Sequence, residues 1–177
     1  MKDLNLPNAL TIFRILALPF CAYALFKNGG DDDSWRIIAF TLFFIVGLSD
    51  ILDGKIARSR NQKTEFGKFL DPIADKAMLA TASIGASLLG MLSWWVTAIF
   101  LIREVAVTIL RFAVIKNGVI PASKGAKLKT FFQNFSVGFY ILPLPSYLNL
   151  PRDLFTAVAI YLTITTGVDY FRKVLRK

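Results

Sequence analysis

Apolar residues run through this chain in long blocks separated by short polar stretches, rather than alternating singly with polar ones. Six blocks reach the roughly 20 residues that a helix needs to cross a bilayer. They cover about residues 7–27, 36–58, 69–91, 93–115, 128–148 and 153–171. The pattern predicts an all-α, polytopic membrane protein with six transmembrane helices. Connectors are short, and there is no internal repeat or low-complexity tract, so residues 1–177 are expected to form a single transmembrane domain. The opening "MKDLNLPNAL" leads directly into the first block with no separate signal peptide and no small-residue cleavage site, so this span is expected to be retained.

Composition agrees with a membrane environment. Hydrophobic residues make up 55% of the 177, far above the usual share in a soluble domain of this size. There is no histidine, and the one cysteine, Cys21, lies inside the first block. There is therefore no disulfide framework and no cysteine metal site, and redox chemistry is not supported.

The net charge of +9 is distributed unevenly. Lys55, Arg58, Arg60, Lys63 and Lys68 fall between the second and third blocks, Lys116, Lys124, Lys127 and Lys129 between the fourth and fifth, and Arg172, Lys173, Arg176 and Lys177 at the end. The opposite connectors carry Lys27, Arg36 and Arg152 beside the acidic run Asp31, Asp32 and Asp33. The positive-inside rule puts both termini in the cytoplasm, as expected for a bacterial inner (plasma) membrane protein. The C-terminal "RKVLRK" reads either as part of this topology signal or as an attraction for anionic lipid. No nucleic-acid partner is expected.

Candidate chemistry sits in "SDILDGKIARSRNQKTEFGKFLDPIADK", residues 49–76. Asp50 and Asp53 are three residues apart near the end of the second block; Asp71 and Asp75 are four apart near the start of the third. Each pair shares a helix face, with a rise of roughly 4.5–6 Å between its members. Because the second block descends to the cytoplasmic side and the third returns from it, all four carboxylates can face one cytoplasm-facing polar cavity. Carboxylates that close cannot all stay ionised unless cations balance them. With no nitrogen or sulfur ligand nearby, the set suits a hard divalent ion, Mg²⁺ or Mn²⁺, and two such ions would neutralise it. Gly54 and Gly67 leave side-chain-free surface for a bulky ligand, and Ala57 adds a small one. The bland alternative makes the aspartates interhelical glue, or partners of Lys55, Arg58, Lys68 and Lys76.

The spacing D-x-x-D-G-x-x-A-R-(x)8-G-x-x-x-D-x-x-x-D, filled by Asp50, Asp53, Gly54, Ala57, Arg58, Gly67, Asp71 and Asp75, resembles the signature of the CDP-alcohol phosphotransferases. The resemblance implies six transmembrane helices, a homodimer, and replacement of the CMP of a CDP-linked lipid by an alcohol. It implies that Asp50, Asp53 and Asp71 bind metal, that Asp75 both touches metal and acts as base, and that Gly54 and Arg58 contact the CDP part. An alcohol attacking the phosphorus next to diacylglycerol needs a proton acceptor, a screen for diphosphate charge and a stabilised leaving group, and a carboxylate with two metals supplies all three.

Three outer motifs, "LPNALTIFRILALPF", "REVAVTILR" and "KLKTFFQN", resemble the branch of that family that uses CDP-diacylglycerol and glycerol 3-phosphate. In one departure, Ala126 stands before Lys127 where that branch has glycine. Other acceptors of the same chemistry are phosphatidylglycerol, serine and inositol phosphate. Arg103, Arg111, Lys127 and Lys129 are the candidate ligands of the acceptor phosphate. Arg103 could instead pair with Glu104 or an aspartate, Arg111 could snorkel to the interface, and Lys127 and Lys129 could mark the membrane edge. Asn8, Thr11 and Arg14 recur every three residues; Asn8 and Thr11 are candidates to face CDP-diacylglycerol, or the three could satisfy one another. Trp94, Trp95, Phe131 and Phe132 are expected against lipid or neighbouring helices. A divalent-cation transporter is the competing class, but its acids should be spread across the membrane thickness, whereas these cluster at one end.

Overall fold

The computed structural model describes the backbone of residues 6–59, 65–113 and 124–175, with side chains over 8–49, 70–111 and 125–174. Among the described residues the chain forms six α-helices and no strand. They are α1 (Leu6–Phe26), α2 (Asp33–Ser59), α3 (Glu65–Leu88), α4 (Trp94–Ala113), α5 (Lys124–Ile141) and α6 (Asn149–Leu175). Two helical stretches among them, Asn8–Gly30 and Ser146–Val174, are long and apolar enough to cross a membrane.

The turns follow from local chemistry. Asn28, Gly29 and Gly30 take left-handed backbone conformations that let the chain reverse after α1. Asp32 then caps α2, its Oδ1 accepting from the backbone N–H of Ser34 (2.9 Å) and Trp35 (3.3 Å), while Asn28 Nδ2 donates to Oδ2. These donors favour the ionised carboxylate and hold Asp32 below its ordinary range. At the other end of α3, Gly90 is left-handed, the N–H of Met91 bonds to the carbonyl of Ala86 and that of Gly90 to Ser87. That pair of bonds is the Schellman arrangement, which satisfies carbonyls the helix leaves open.

The fifth element differs from its expected span. The apolar block continues to about residue 148, but the helix begins at Lys124 and ends at Ile141. Pro143 and Pro145 cannot continue it. Its terminal carbonyls are met by Arg36 of α2, whose Nε donates to Ile141 O (2.9 Å) and Nη2 to Tyr140 O and Leu142 O (3.1 Å each). Arg36, read from the sequence as a connector charge, thus caps a helix about a hundred residues away. Arg36→Ala should leave the Tyr140 and Ile141 carbonyls without that donor, while Leu142 O keeps the N–H of Leu144, and destabilise the fold by about 1–3 kcal/mol. A lower thermal midpoint in detergent would show it; an unchanged midpoint would mean that water replaces the guanidinium.

α1 packs along α2 and α3, α5 along α6, and α6 against α4, while α2 and α3 also reach α5. The shared core is built from small and branched residues, among them Cys21, Ala24, Leu25, Ala39, Val46, Ala82, Ala86, Phe100, Val137 and Ala159. Small side chains let helix backbones approach, a device typical of bundles in lipid. At Gly85 a Cβ would lie 2.7 Å from Leu25 Cδ2, so α1 closes on α3 there only because that side chain is missing. Polar pairs add interhelical bonds: Ser87 with Thr97 (2.8 Å) joins α3 to α4, and Ser136 with Thr156 (2.8 Å) joins α5 to α6. Of the aromatics, Trp94, Trp95 and Phe131 are exposed, whereas Phe132 stacks on Phe155 of α6 at 4.6 Å.

Candidate active site

Because successive helices run in alternating directions, the starts of α1, α3 and α5 meet the ends of α4 and α6 at one end of the bundle. A cavity of about 370 Å³ lies there. Its wall takes Asp71 and Asp75 from α3, Arg103, Glu104 and Arg111 from α4, Lys127, Lys129 and Gln133 from α5, and Thr166, Asp169 and Tyr170 from α6. The two carboxylates and the four cations singled out in the sequence therefore border one space, although they come from three helices.

The carboxylates of α3 are anchored from α1. Thr11 Oγ1 donates to Asp71 Oδ1 (2.7 Å), and Arg14 Nη1 donates to Asp75 Oδ1 (3.0 Å). Arg14 Nη2 also donates to Thr11 Oγ1 (3.4 Å). Asn8, Thr11 and Arg14 are all buried, as residues on one helical stripe facing a neighbour should be. Thr11 and Arg14 satisfy each other and also α3, and neither Asn8 nor Thr11 lines the cavity. Asp75, in contrast, keeps 48% of its side chain exposed while its Arg14 partner keeps 3%. A buried guanidinium fixing one oxygen of a half-exposed carboxylate holds it in a single orientation toward the cavity.

The cations divide into two groups. Arg103 Nη1 donates to Glu104 Oε1 (3.0 Å), and Lys129 Nζ donates to the same oxygen. Arg103 Nη2 reaches Thr166 Oγ1 on α6 (3.3 Å). Glu104 therefore ties α4 to α5 and, through Arg103, to α6, compensating two charges that would otherwise be buried alone. Arg111 and Lys127 line the cavity without an ion pair to any described acid, and both are exposed. Lys127 follows Ala126 in the first turn of α5, which turns it to the cavity mouth.

Asp50 and Asp53 lie in the second half of α2, but their side chains, with those of Ala57 and Arg58 and the surroundings of Gly54 and Gly67, are outside the described residues. No group of three or more potential ligands occurs among the described residues. The two that are described fit the expected ion: Asp71 and Asp75 offer only oxygen and share one cavity wall. Sequence reading passed over Arg14 as a carboxylate partner, Glu104 as a hub, and Gln133 and Tyr170 altogether. The available signals were an acid inside an apolar run at Glu104, and polar residues four apart at Lys129 and Gln133 and at Thr166 and Tyr170.

Fold and cavity define, among the described residues, a helical-bundle protein with an acid- and cation-lined chamber at one end. The family model for CDP-alcohol phosphatidyltransferase matches residues 4–168, and the chain belongs to that family. It is 48% identical over 172 residues to a "Probable phosphatidylglycerophosphate synthase" of Mycobacterium tuberculosis, covering 97% of this chain and 82% of that protein. Proteins named "CDP-diacylglycerol--glycerol-3-phosphate 3-phosphatidyltransferase" are similar too: that of Bacillus subtilis is 36% identical over 187 residues (96% of this chain, 94% of the relative), and that of Rickettsia felis 35% over 175 (96% and 95%).

Proposed function

We propose that this protein transfers the phosphatidyl group of CDP-diacylglycerol to glycerol 3-phosphate, giving phosphatidylglycerophosphate and CMP in phospholipid biosynthesis. The names of its relatives point to this reaction. The observation that carries it is the junction of two unlike spaces. The charged cavity adjoins an apolar groove of about 740 Å³ between α2, α3 and α5, lined by Phe40, Phe43, Phe44, Leu48, Phe131 and Phe135. Gly47, Met78, Leu79, Lys127, Thr130 and Asn134 border both. A substrate with a diphosphate head and acyl tails would use both at once.

In this reading Asp75 takes the proton of the acceptor hydroxyl as its oxygen attacks the phosphorus bonded to diacylglycerol. The bridging P–O bond breaks, and that oxygen leaves with CMP. Arg14 and Thr11 are positioning residues: they hold the carboxylates of Asp75 and Asp71 in place. Asp50, Asp53, Asp71 and Asp75 would hold Mg²⁺ or Mn²⁺, as two ions, which when bound neutralise the diphosphate and stabilise the departing CMP. Gly54, Ala57, Arg58 and Gly67 take the nucleotide side. Arg111 and Lys127, which pair with no described acid, receive the acceptor phosphate, with Arg103 and Lys129 adding positive potential behind Glu104.

The same reading makes residues 1–177 one transmembrane domain of six crossing helices in a bacterial inner membrane, with the cavity and both termini cytoplasmic. Its support is the outward display of Leu16 and Phe20 on α1, Ile102 and Ile109 on α4, and Leu154 and Tyr161 on α6, with cations gathered at the cavity end. A homodimer would cover part of that apolar surface.

Purified protein supplied with CDP-diacylglycerol and Mg²⁺, and offered candidate alcohols one at a time, tests the acceptor. Glycerol 3-phosphate should be used well ahead of glycerol or phosphatidylglycerol. Arg111→Ala and Lys127→Ala should each raise the KM for glycerol 3-phosphate about 10- to 100-fold, the range expected for a lost charge-assisted bond. The KM for CDP-diacylglycerol should change little. An unchanged acceptor KM would remove these two residues from the phosphate site.

A further inference from the structure

Gln133 stands four residues after Lys129 on α5 and borders the charged cavity, yet it is only 1% exposed. Neither its Oε1 nor its Nε2 has a hydrogen-bonding partner among the described residues. The Tyr170 hydroxyl on α6 and Arg103 Nε on α4, bordering the same cavity, are also unpartnered there. A buried amide with both ends unsatisfied is a substantial penalty, and native proteins seldom retain one without use. The nearby charged cluster does not relieve it: Arg103 and Lys129 both donate to Glu104 Oε1, Thr166 accepts from Arg103 while donating to Leu162 O, and none of these groups bonds to the amide.

The chemistry of these groups specifies what they would bind. An anion calls for donors and positive charge, which Arg111 and Lys127 already offer at the exposed side. Gln133 and Tyr170 are neutral, and each can donate and accept at once, as an alcohol hydroxyl does. We infer that Gln133, with Tyr170, recognises the non-reacting hydroxyl of the acceptor, so that the site selects a vicinal-diol monophosphate over the same phosphate lacking that hydroxyl. This rests on the assignment of glycerol 3-phosphate as acceptor. Gln133 is thereby a specificity-determining residue.

The test compares glycerol 3-phosphate with 1,3-propanediol monophosphate, which keeps the phosphate and the primary hydroxyl but lacks the middle one. Full-length protein in detergent with CDP-diacylglycerol and Mg²⁺ is assayed for CMP release. The wild type should favour glycerol 3-phosphate by about 100-fold or more in kcat/KM, since a site built around a hydroxyl rejects the analogue without it. Gln133→Leu should lose at least about tenfold of that preference, through a fall on glycerol 3-phosphate alone, with the KM for CDP-diacylglycerol unchanged. Its thermal midpoint should equal or exceed the wild-type value, because no bond within the protein is removed. Gln133→Glu, of nearly the same shape, should also lower the preference, and provides the reading if the leucine variant fails to fold. A wild-type preference retained in the variants, or equal losses on both acceptors, would overturn the role of Gln133 alone. A wild type that uses neither acceptor but converts another alcohol would overturn the glycerol 3-phosphate assignment, and this inference with it.

Discussion

Asp75→Asn is expected to lower kcat about 1,000-fold while CDP-diacylglycerol still binds, in keeping with the loss of a positioned general base. Asp75 is the described carboxylate best placed for that role: it borders the cavity, is half exposed, and is held through one oxygen by Arg14 at 3.0 Å. The amide retains the size of the side chain, and its oxygen can still accept from Arg14. It cannot take a proton from the attacking hydroxyl. CMP release under saturating substrates measures the loss, and equilibrium binding of CDP-diacylglycerol measures what is retained. Since Asp75 is also a proposed metal ligand, the assay should be repeated across a range of Mg²⁺ concentrations. Recovery at high Mg²⁺ would assign the defect to metal binding; near-normal turnover would remove Asp75 as base.

Removal of divalent metal should abolish activity altogether. Excess chelator is expected to bring the wild type to background and added Mg²⁺ or Mn²⁺ to restore it, because the four carboxylates proposed to hold the ions could not share one space with a substrate diphosphate without cations. Asp50→Ala, Asp53→Ala and Asp71→Ala should each reduce turnover and shift the metal requirement to higher concentration, as each removes a proposed charged oxygen ligand. Asp71→Ala has a second expected effect, because it takes away the acceptor of the Thr11 hydroxyl, which is fully buried. Losing a buried hydrogen bond to a charged group destabilises by about 1.5–3 kcal/mol, so a lower thermal midpoint should accompany its loss of activity. Full turnover in excess chelator, with no carried-over metal, would exclude the metal-dependent mechanism.

Features that depend on neighbours along one helix were legible without coordinates. The pairings of Asp50 with Asp53 and of Asp71 with Asp75 on single faces follow from 3.6 residues per turn, and the stripe of Asn8, Thr11 and Arg14 follows from the same period. The six apolar blocks are local in the same sense, and each overlaps one of the six helices. Where the estimate of an element failed, a local rule had been passed over: α5 ends at Ile141 because Pro143 and Pro145 follow it, although the hydropathy of the block continues.

What tertiary structure alone decided was which polar groups answer one another. Arg14 meets Asp75 across 61 positions of chain, Arg36 meets the end of α5 across more than a hundred, and Glu104 meets Lys129 across 25. The sequence offered Lys55, Arg58, Lys68 and Lys76 as alternative partners for the aspartates, of which Lys76 alone has a described side chain, and it could not tell which acid, if any, would take Arg103. Those choices depend on the rotation of each helix about its axis and on how closely two backbones approach, as at Gly85 against Leu25. Such quantities are set by packing of the whole bundle, not by the residues of one segment. Among the described residues, the same packing leaves Arg111 and Lys127 without an acid and buries Gln133 without a partner. Residue type determined what each side chain could bind; only the assembled helices determined which of them remained available to do so.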